Sequence, residues 1–279
     1  MNNEIRNWLV RSPLLACLML AAATGELAGQ MGPFLSPSQV PQAKTQDEYD
    51  VYLNILTSKD PQQTISQVDR FAHEFPKSQL LGLAFEHKML AYQKLQDWAN
   101  VFRSGQRALQ LEPRNVMTSL TVAAAIINGI DNKTLPTSLL DDAEQYSAES
   151  IQELGNMTIP HEITLDRWER MRGNLEGQAH ELLGEVAVLR GKNQIGRREF
   201  EAAIHASPNP RGMQFLRLGL LSQSLGNDDQ ASQAFRRAME LGPDNVRKLA
   251  KRELQKVQRA SARQGVTQDR QAVKAGPPK

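Results

Sequence analysis

Aromatic side chains are scarce in this chain. Phe, Trp and Tyr make up only 5% of its 279 residues, while 40% are apolar. An interior built from Ala and Leu with few rings suits helix packed on helix better than a β-sandwich, whose strands draw on aromatic and β-branched residues. Runs that alternate Val, Ile, Thr or Tyr with polar residues are hard to find. Cysteine is represented by Cys17 alone, so no internal disulfide can form. Neither sign of charge dominates, since 33 Lys and Arg stand against 31 Asp and Glu for a net charge of +2. The molecule as a whole therefore announces no polyanionic partner.

Motifs that carry chemistry are also missing. There is no Gly-x-Ser-x-Gly turn to expose a nucleophile and no Gly-Lys-Ser/Thr to cradle a phosphate. His161-Glu162 and His180-Glu181 each begin like a zinc-protease pattern, but the place four residues after each histidine holds Leu165 or Gly184. Without a second imidazole the metal site fails on spacing. His180 falls at a large-residue position of a repeat, which gives it a packing role. Asp141-Asp142 opens a helical pattern, where acids suit the positive end of the helix dipole. The expectation is a protein that is not an enzyme and holds no cofactor and no metal.

What is present begins with an address. Residues 1–30 carry Arg6 and Arg11, then an apolar core from Pro13 to Ala23, then small residues such as Ala28 and Gly29. That charged, apolar, small order is the pattern of a secretory signal peptide. The core of about eleven residues falls short of the ~20 that span a bilayer as a helix. Leu14-Leu15-Ala16-Cys17 resembles a lipobox, but the apolar run continues past Cys17 where a mature lipoprotein turns polar. Export to the periplasm or the medium is expected. Membrane contact arises only if the segment is retained as an anchor or Cys17 is lipidated. Residues 31–44, with Pro33, Pro37 and Pro41, read as an extended linker.

From about residue 45 to 263 helix formers dominate, and the chain repeats itself. At an offset of 35, Leu218, Gly219, Gly226, Phe235, Ala238 and Pro243 fall on Leu183, Gly184, Gly191, Phe200, Ala203 and Pro208. Upstream, at an offset of 37, Asp60 pairs with Asp97 and Pro76 with Pro113, while Ile55 and Tyr92 share an inward position. Each unit reads as two helices joined by a tight turn. A glycine in the left-handed backbone ends the first helix, and a proline follows the second. Gly219, Ala231 and Ala238 are small because helix axes come within ~8–10 Å only over small contact residues.

The pattern Phe215-x2-Leu218-Gly219, then Ala231-x3-Phe235, Ala238 and Pro243, resembles a tetratricopeptide repeat. So does His180-x2-Leu183-Gly184 followed by Gly196-x3-Phe200, Ala203 and Pro208. The resemblance implies an all-α solenoid of stacked helix-turn-helix repeats over 45–264. Its units are about 45–78, 82–115, a divergent 116–155, 177–210 and 212–245, with a C-terminal capping helix at 246–264 and a disordered tail at 265–279. A helix from about Leu165 to Arg190 is nearly twice the usual repeat length, and either covers the loop containing Pro136 or projects from the array. The resemblance also implies a concave groove that binds extended peptides, at Glu86, Leu90, Gln93, Glu181, Glu185, Leu216, Leu220 and Gln223. The Lys/Asn set with which some chaperone-binding members hold a terminal carboxylate is not present.

The function expected from this is an exported protein–protein interaction scaffold in the bacterial cell envelope, whose partner is a protein or peptide. Its rival is a membrane-tethered envelope assembly factor. From Val246 onward ten Lys and Arg face two acids, Glu253 and Asp269, a local +8 that leaves the rest of the chain at −6. Nucleic-acid binding through this basic C-terminal helix is the less favoured alternative to a solvated terminal face.

Overall fold

The computed structural model describes residues 41–159 and 163–275. The expected signal segment, Cys17, His161 and residues 31–40 of the expected linker lie outside the described residues. The described chain forms eleven α-helices, and no β-strand occurs among the described residues. They are α1 (Gln46–Thr57), α2 (Pro61–Glu74), α3 (Leu81–Lys94), α4 (Trp98–Leu111), α5 (Val116–Asp131), α6 (Leu140–Asn156), α7 (Leu165–Leu189), α8 (Asn193–Ala206), α9 (Gly212–Ser224), α10 (Asp228–Leu241) and α11 (Asp244–Ala275). Each helix packs chiefly on its neighbours in sequence, and first helices also touch the next first helix in places such as α5 on α7. That nearest-neighbour stacking makes the fold an all-α solenoid. None of the described helices is long and apolar enough to cross a membrane.

The sequence signals act where local physics places them. The side chains of Asp60, Asp97 and Asn227 cap the second helices α2, α4 and α10 by accepting from the backbone N–H two or three residues on. Thr45, Asn115 and Thr164 do the same for the first helices α1, α5 and α7. Gly191 and Gly226 take φ of +74° and +75° where α7 and α9 end. The earlier unit puts Gln96 in the same region at φ 57°, which explains why no glycine marks that turn.

Helix pairs are locked by a ring on a glycine. Built onto Gly184, a Cβ would lie 2.6 Å from Phe200 of α8; built onto Gly219, it would lie 2.6 Å from Phe235 of α10. Both phenylalanines are fully buried, at 1% and 0% exposure, and Ala203 and Ala238 beside them are at 0%. The two units thus repeat the same contact thirty-five residues apart.

Two features depart from expectation, and a third decides between the alternatives left open for the long helix. Residues 42–44, inside the expected linker, are tied to the α2–α3 turn: Gln42 N donates to Gln79 Oε1 at 3.3 Å, and Lys44 Nζ to Lys77 O at 3.3 Å. The last helix runs on to Ala275 instead of ending near 264, so most of the tail expected to be disordered is helical. No stop signal occurs there until Gly276-Pro277-Pro278, and Gly265 alone does not break a helix. Finally, the first half of α7 is a packed element. Trp168 and Leu175 are buried in the central core with Leu140 and Ala143 of α6, and Arg190 at its far end pairs with Asp141 and Glu144.

Replacing Gly219 by alanine sets two effects against each other. Ala gains up to ~1 kcal/mol of helix propensity, and overpacking a filled core costs ~1–3 kcal/mol. At a crossing closed by Phe235 the clash wins, so Gly219→Ala lowers the urea midpoint. Gly155→Ala in α6, where nothing lies within 4 Å, raises it. Equal signs for the two variants would show that the ring does not set the crossing.

Candidate functional site

The residues expected to line a groove lie mostly inside the stack. Glu86 and Gln93 of α3 are buried, as are Glu181 and Glu185 of α7. Leu216 and Leu220 of α9 belong to the C-terminal core, and Leu90 is half-buried against the central one. Gln223 is half-buried, with its Oε1 enclosed. A peptide sliding along the inner helices does not meet the six of these that are buried, while Leu90 and Gln223 keep part of their surface. The physical reason is that α5 and α9 are enclosed on nearly every side: from Thr118 to Ile127, and from Leu216 to Ser222, every residue is buried.

The glutamates instead join one repeat to the next. Glu86 Oε2 accepts from Nδ2 of Asn115, the N-cap of α5, at 2.9 Å. Glu181 Oε2 accepts from Nη2 of Arg211, the N-cap residue of α9, at 2.8 Å. The separations are 29 and 30 residues. Burial pushes the Glu48 carboxyl of α1 up. Ser78, just before α3, outweighs it together with the Lys44 N–H and charge, so the carboxyl ends below the ordinary value. For Glu86 and Glu181, an acid on a first helix reaches the start of the next first helix.

At the α7–α9 joint this becomes a closed cluster of charges. Arg217 of α9 is 2% exposed, and its Nη1 donates to Glu181 Oε1 at 2.6 Å. Its Nη2 lies 2.8 Å from Glu185 Oε1, but without the alignment of a hydrogen bond, so both Glu185 oxygens stay unbonded. Gln214 completes the wall: its Oε1 accepts from the Arg211 backbone at 2.8 Å, and its Nε2 donates to Ser207 Oγ at 3.1 Å. Burial pushes the Glu185 carboxyl up to about 8, with Arg217 pulling it down and Glu181 pushing the same way as burial. Burial also raises Glu181, against the pull of Arg217. Burial works against the Arg217 cation, yet Glu185 and Glu181 hold it above its ordinary value. The arrangement is a structural ion cluster: it fixes how two repeats sit, and it encloses its charges.

Arg217 was not singled out from the sequence, although a signal was present. It is the one charge in the run Phe215–Leu221, and an arginine there either breaks a core or meets buried acids. His180 is half-buried with Nδ1 2.7 Å from Glu199 Oε2 of α8, a link within its repeat.

No protein-family model matches this sequence, and no curated protein matches it. Among solved structures the chain is similar to a thermophilic TPR protein of Thermus thermophilus. The identity is 15% and the TM-score 0.44, over 75% of this chain and 98% of that one. It is also similar to a tetratricopeptide repeat protein from Parabacteroides merdae, at 14% identity and a TM-score of 0.29, over 77% of this chain and 100% of that one. Likeness at this level carries nothing about function, and the assignment of the fold rests on the repeated helix pair itself. The fold is a TPR-like α-solenoid.

Two measurements test the cluster. Glu86, pushed up by burial to about 7, and Glu185, at about 8, bind a proton more tightly folded than unfolded. Their contribution is fully present below the ordinary carboxylate value and is lost as pH rises through 7 to 8. Urea stability therefore falls from about pH 5 to about pH 8.5, and Glu185→Gln flattens that fall. A fall of the same size in the variant would sink the assignment. Arg217→Met leaves two acids enclosed without their cation and costs about 3–5 kcal/mol when they are ionised. The loss is greater at about pH 8.5 than at about pH 5, where the carboxyls take up protons.

Proposed function

We propose that the protein is an exported scaffold of the bacterial cell envelope that binds partner proteins and performs no chemistry of its own. The observation that carries this is the stack. A solenoid of helix pairs offers an extended, rigid surface out of proportion to its core. The charged groups that it buries between repeats are committed to holding repeats together, which leaves recognition to its outer faces. The partner surface lies on the exposed sides of second helices such as α4 and α10 and at the ends of the stack, because the inner faces of α5 and α9 are enclosed. The order of charge, apolar core and small residues in residues 1–30 supports export.

Mass spectrometry of the native protein tests export. A mature chain starting between residues 26 and 31 is expected, whereas an intact Met1 or a lipid mass on Cys17 favours a tethered factor. Photocrosslinking amino acids placed at Arg103 of α4 or Arg236 of α10, both exposed, test the scaffold. Discrete protein adducts in intact cells are expected. Their absence from every exposed face would end the scaffold reading.

A further inference from the structure

Among the described residues α9, α10 and α11 pack on one another, and they meet the rest of the stack chiefly on α8 and α7. A unit at the end of an array has a neighbour on one side only, so its attachment rests on that joint. Polar side chains cross it. Gln214 of α9 reaches Ser207, just after α8. Gln230 of α10 accepts from Arg197 Nη1 of α8 at 3.3 Å and donates to Glu201 of the same helix. Between α7 and α9 stand Glu181, Glu185 and Arg217.

Glu185 is the acid of that cluster without hydrogen bonds. It is fully buried, neither of its oxygens has a donor, and Arg217 Nε is likewise enclosed and unbonded. Buried polar atoms are ordinarily paired. An ionised carboxylate accepts up to about four hydrogen bonds and suffers most where it has none, so this place suits the neutral acid. The charges around it agree. With Glu185 neutral, Arg217 and Glu181 balance one another. With Glu185 ionised, the enclosed groups carry one negative charge in excess, and Arg211, whose side chain is 38% exposed, is bonded to Glu181. Among the described residues no further cation compensates it: α5 has no ionisable residue from 118 to 127, and Arg190 at the end of α7 is taken by Asp141 and Glu144 of α6. On α8, Arg197 pairs with Glu201, Glu199 pairs with His180 of α7, and Lys192, Arg198 and His205 are exposed.

We propose that the α7–α9 joint is a proton-operated latch: with Glu185 protonated the terminal unit α9–α11 is closed on α7 and α8, and release of that proton opens it. Opening admits water to the carboxylate, which returns to its ordinary value from the value of about 8 that burial imposes in the closed form. The closed form thus holds the proton more tightly. Its advantage is complete below the ordinary carboxylate range and is lost as pH rises through about 8. Interior units are held from both sides, whereas α9–α11 has one joint to lose, so the response is local. The opened joint presents Glu181, Glu185 and Arg217, which a peptide does not reach in the closed stack. The latch does not depend on what the protein binds, and it goes beyond the scaffold function by making part of the surface pH-dependent.

Spin-label distances in the full chain test it, with Cys17→Ser removing the native thiol. One pair of labels, at Arg198 of α8 and Arg236 of α10, spans the joint. A second, at Glu149 of α6 and Arg198 of α8, does not, and all three positions are exposed. Between about pH 6.5 and about pH 8.5 the ratio of long to short distances in the spanning pair is expected to rise about tenfold, and to return when the pH is restored. The second pair is expected to keep its distance. Glu185→Gln, a neutral side chain of the same shape, is expected to hold the spanning pair short at both pH values. A spanning distance that ignores pH overturns the proposal. So does a change that Glu185→Gln leaves intact, or one that both pairs share. Should Glu185→Gln fail to fold, the two pairs in the chain that keeps Glu185 decide the question alone.

Discussion

A phenyl ring seated on a glycine sets the geometry of the better-formed repeats. Phe200 on Gly184 and Phe235 on Gly219 bring each helix pair to the same short separation. The small residues around the rings, Ala203, Ala231 and Ala238, are buried completely. The contact recurs thirty-five residues on, so two successive pairs share one internal packing, and each repeat needs only its neighbours to stack. The earlier units lack this ring-on-glycine pair. Their core is held by other means: Tyr52, Phe71 and Phe75 form a tilted aromatic row between α1 and α2, with ring centroids 5.4–5.8 Å apart.

Pairs so built must still be joined, and here the chain uses charge where a core would use hydrocarbon. Glu86 with Asn115, and Glu181 with Arg211 and Arg217, connect a first helix to the start of the next. A buried ion pair adds little net stability once desolvation is counted. Its effect is directional: a guanidinium that must meet Glu181 and Glu185 admits one relative placement of α7 and α9, whereas apolar faces slide. The separation of 29 to 30 residues is the length of a helix pair, so the same acid finds the same kind of partner wherever it recurs.

This division explains what was legible in advance. Helix pairs, turns and caps follow from local rules, so Gly226, Asp60, Asp97 and Pro243 announced them directly. The partner-facing face did not follow. Glu181 and Glu185 have the polarity of groove residues, and helical periodicity places them on the side where a groove is expected. What decides their fate is Arg217, thirty-six residues from Glu181, and no single-helix pattern contains that distance. The length of α11 was missed for a different reason: a polar helix with one glycine resembles a solvated tail by composition, and only the lack of a proline or capping signal before Gly276 distinguishes them.

The two ends of the stack answer one constraint in opposite ways. A repeat array needs a polar outer face wherever stacking stops. At the C-terminal end α11 meets that need, burying Val246, Ala250 and Val257 and leaving Lys248, Lys251, Arg252, Lys256 and Arg259 exposed. At the other end α1 does not. Tyr49, Leu53 and Leu56 are 49%, 40% and 45% exposed, and their spacing of four and three places them along one face of the helix. The inner face of the same helix is filled by Tyr52 and Ile55. So α1 is apolar on two sides, as an interior helix of the array is, while α11 is apolar on one. By the physics that stacks the repeats, the polarity of the described stack runs along the order of its helices, from an apolar α1 to a basic α11.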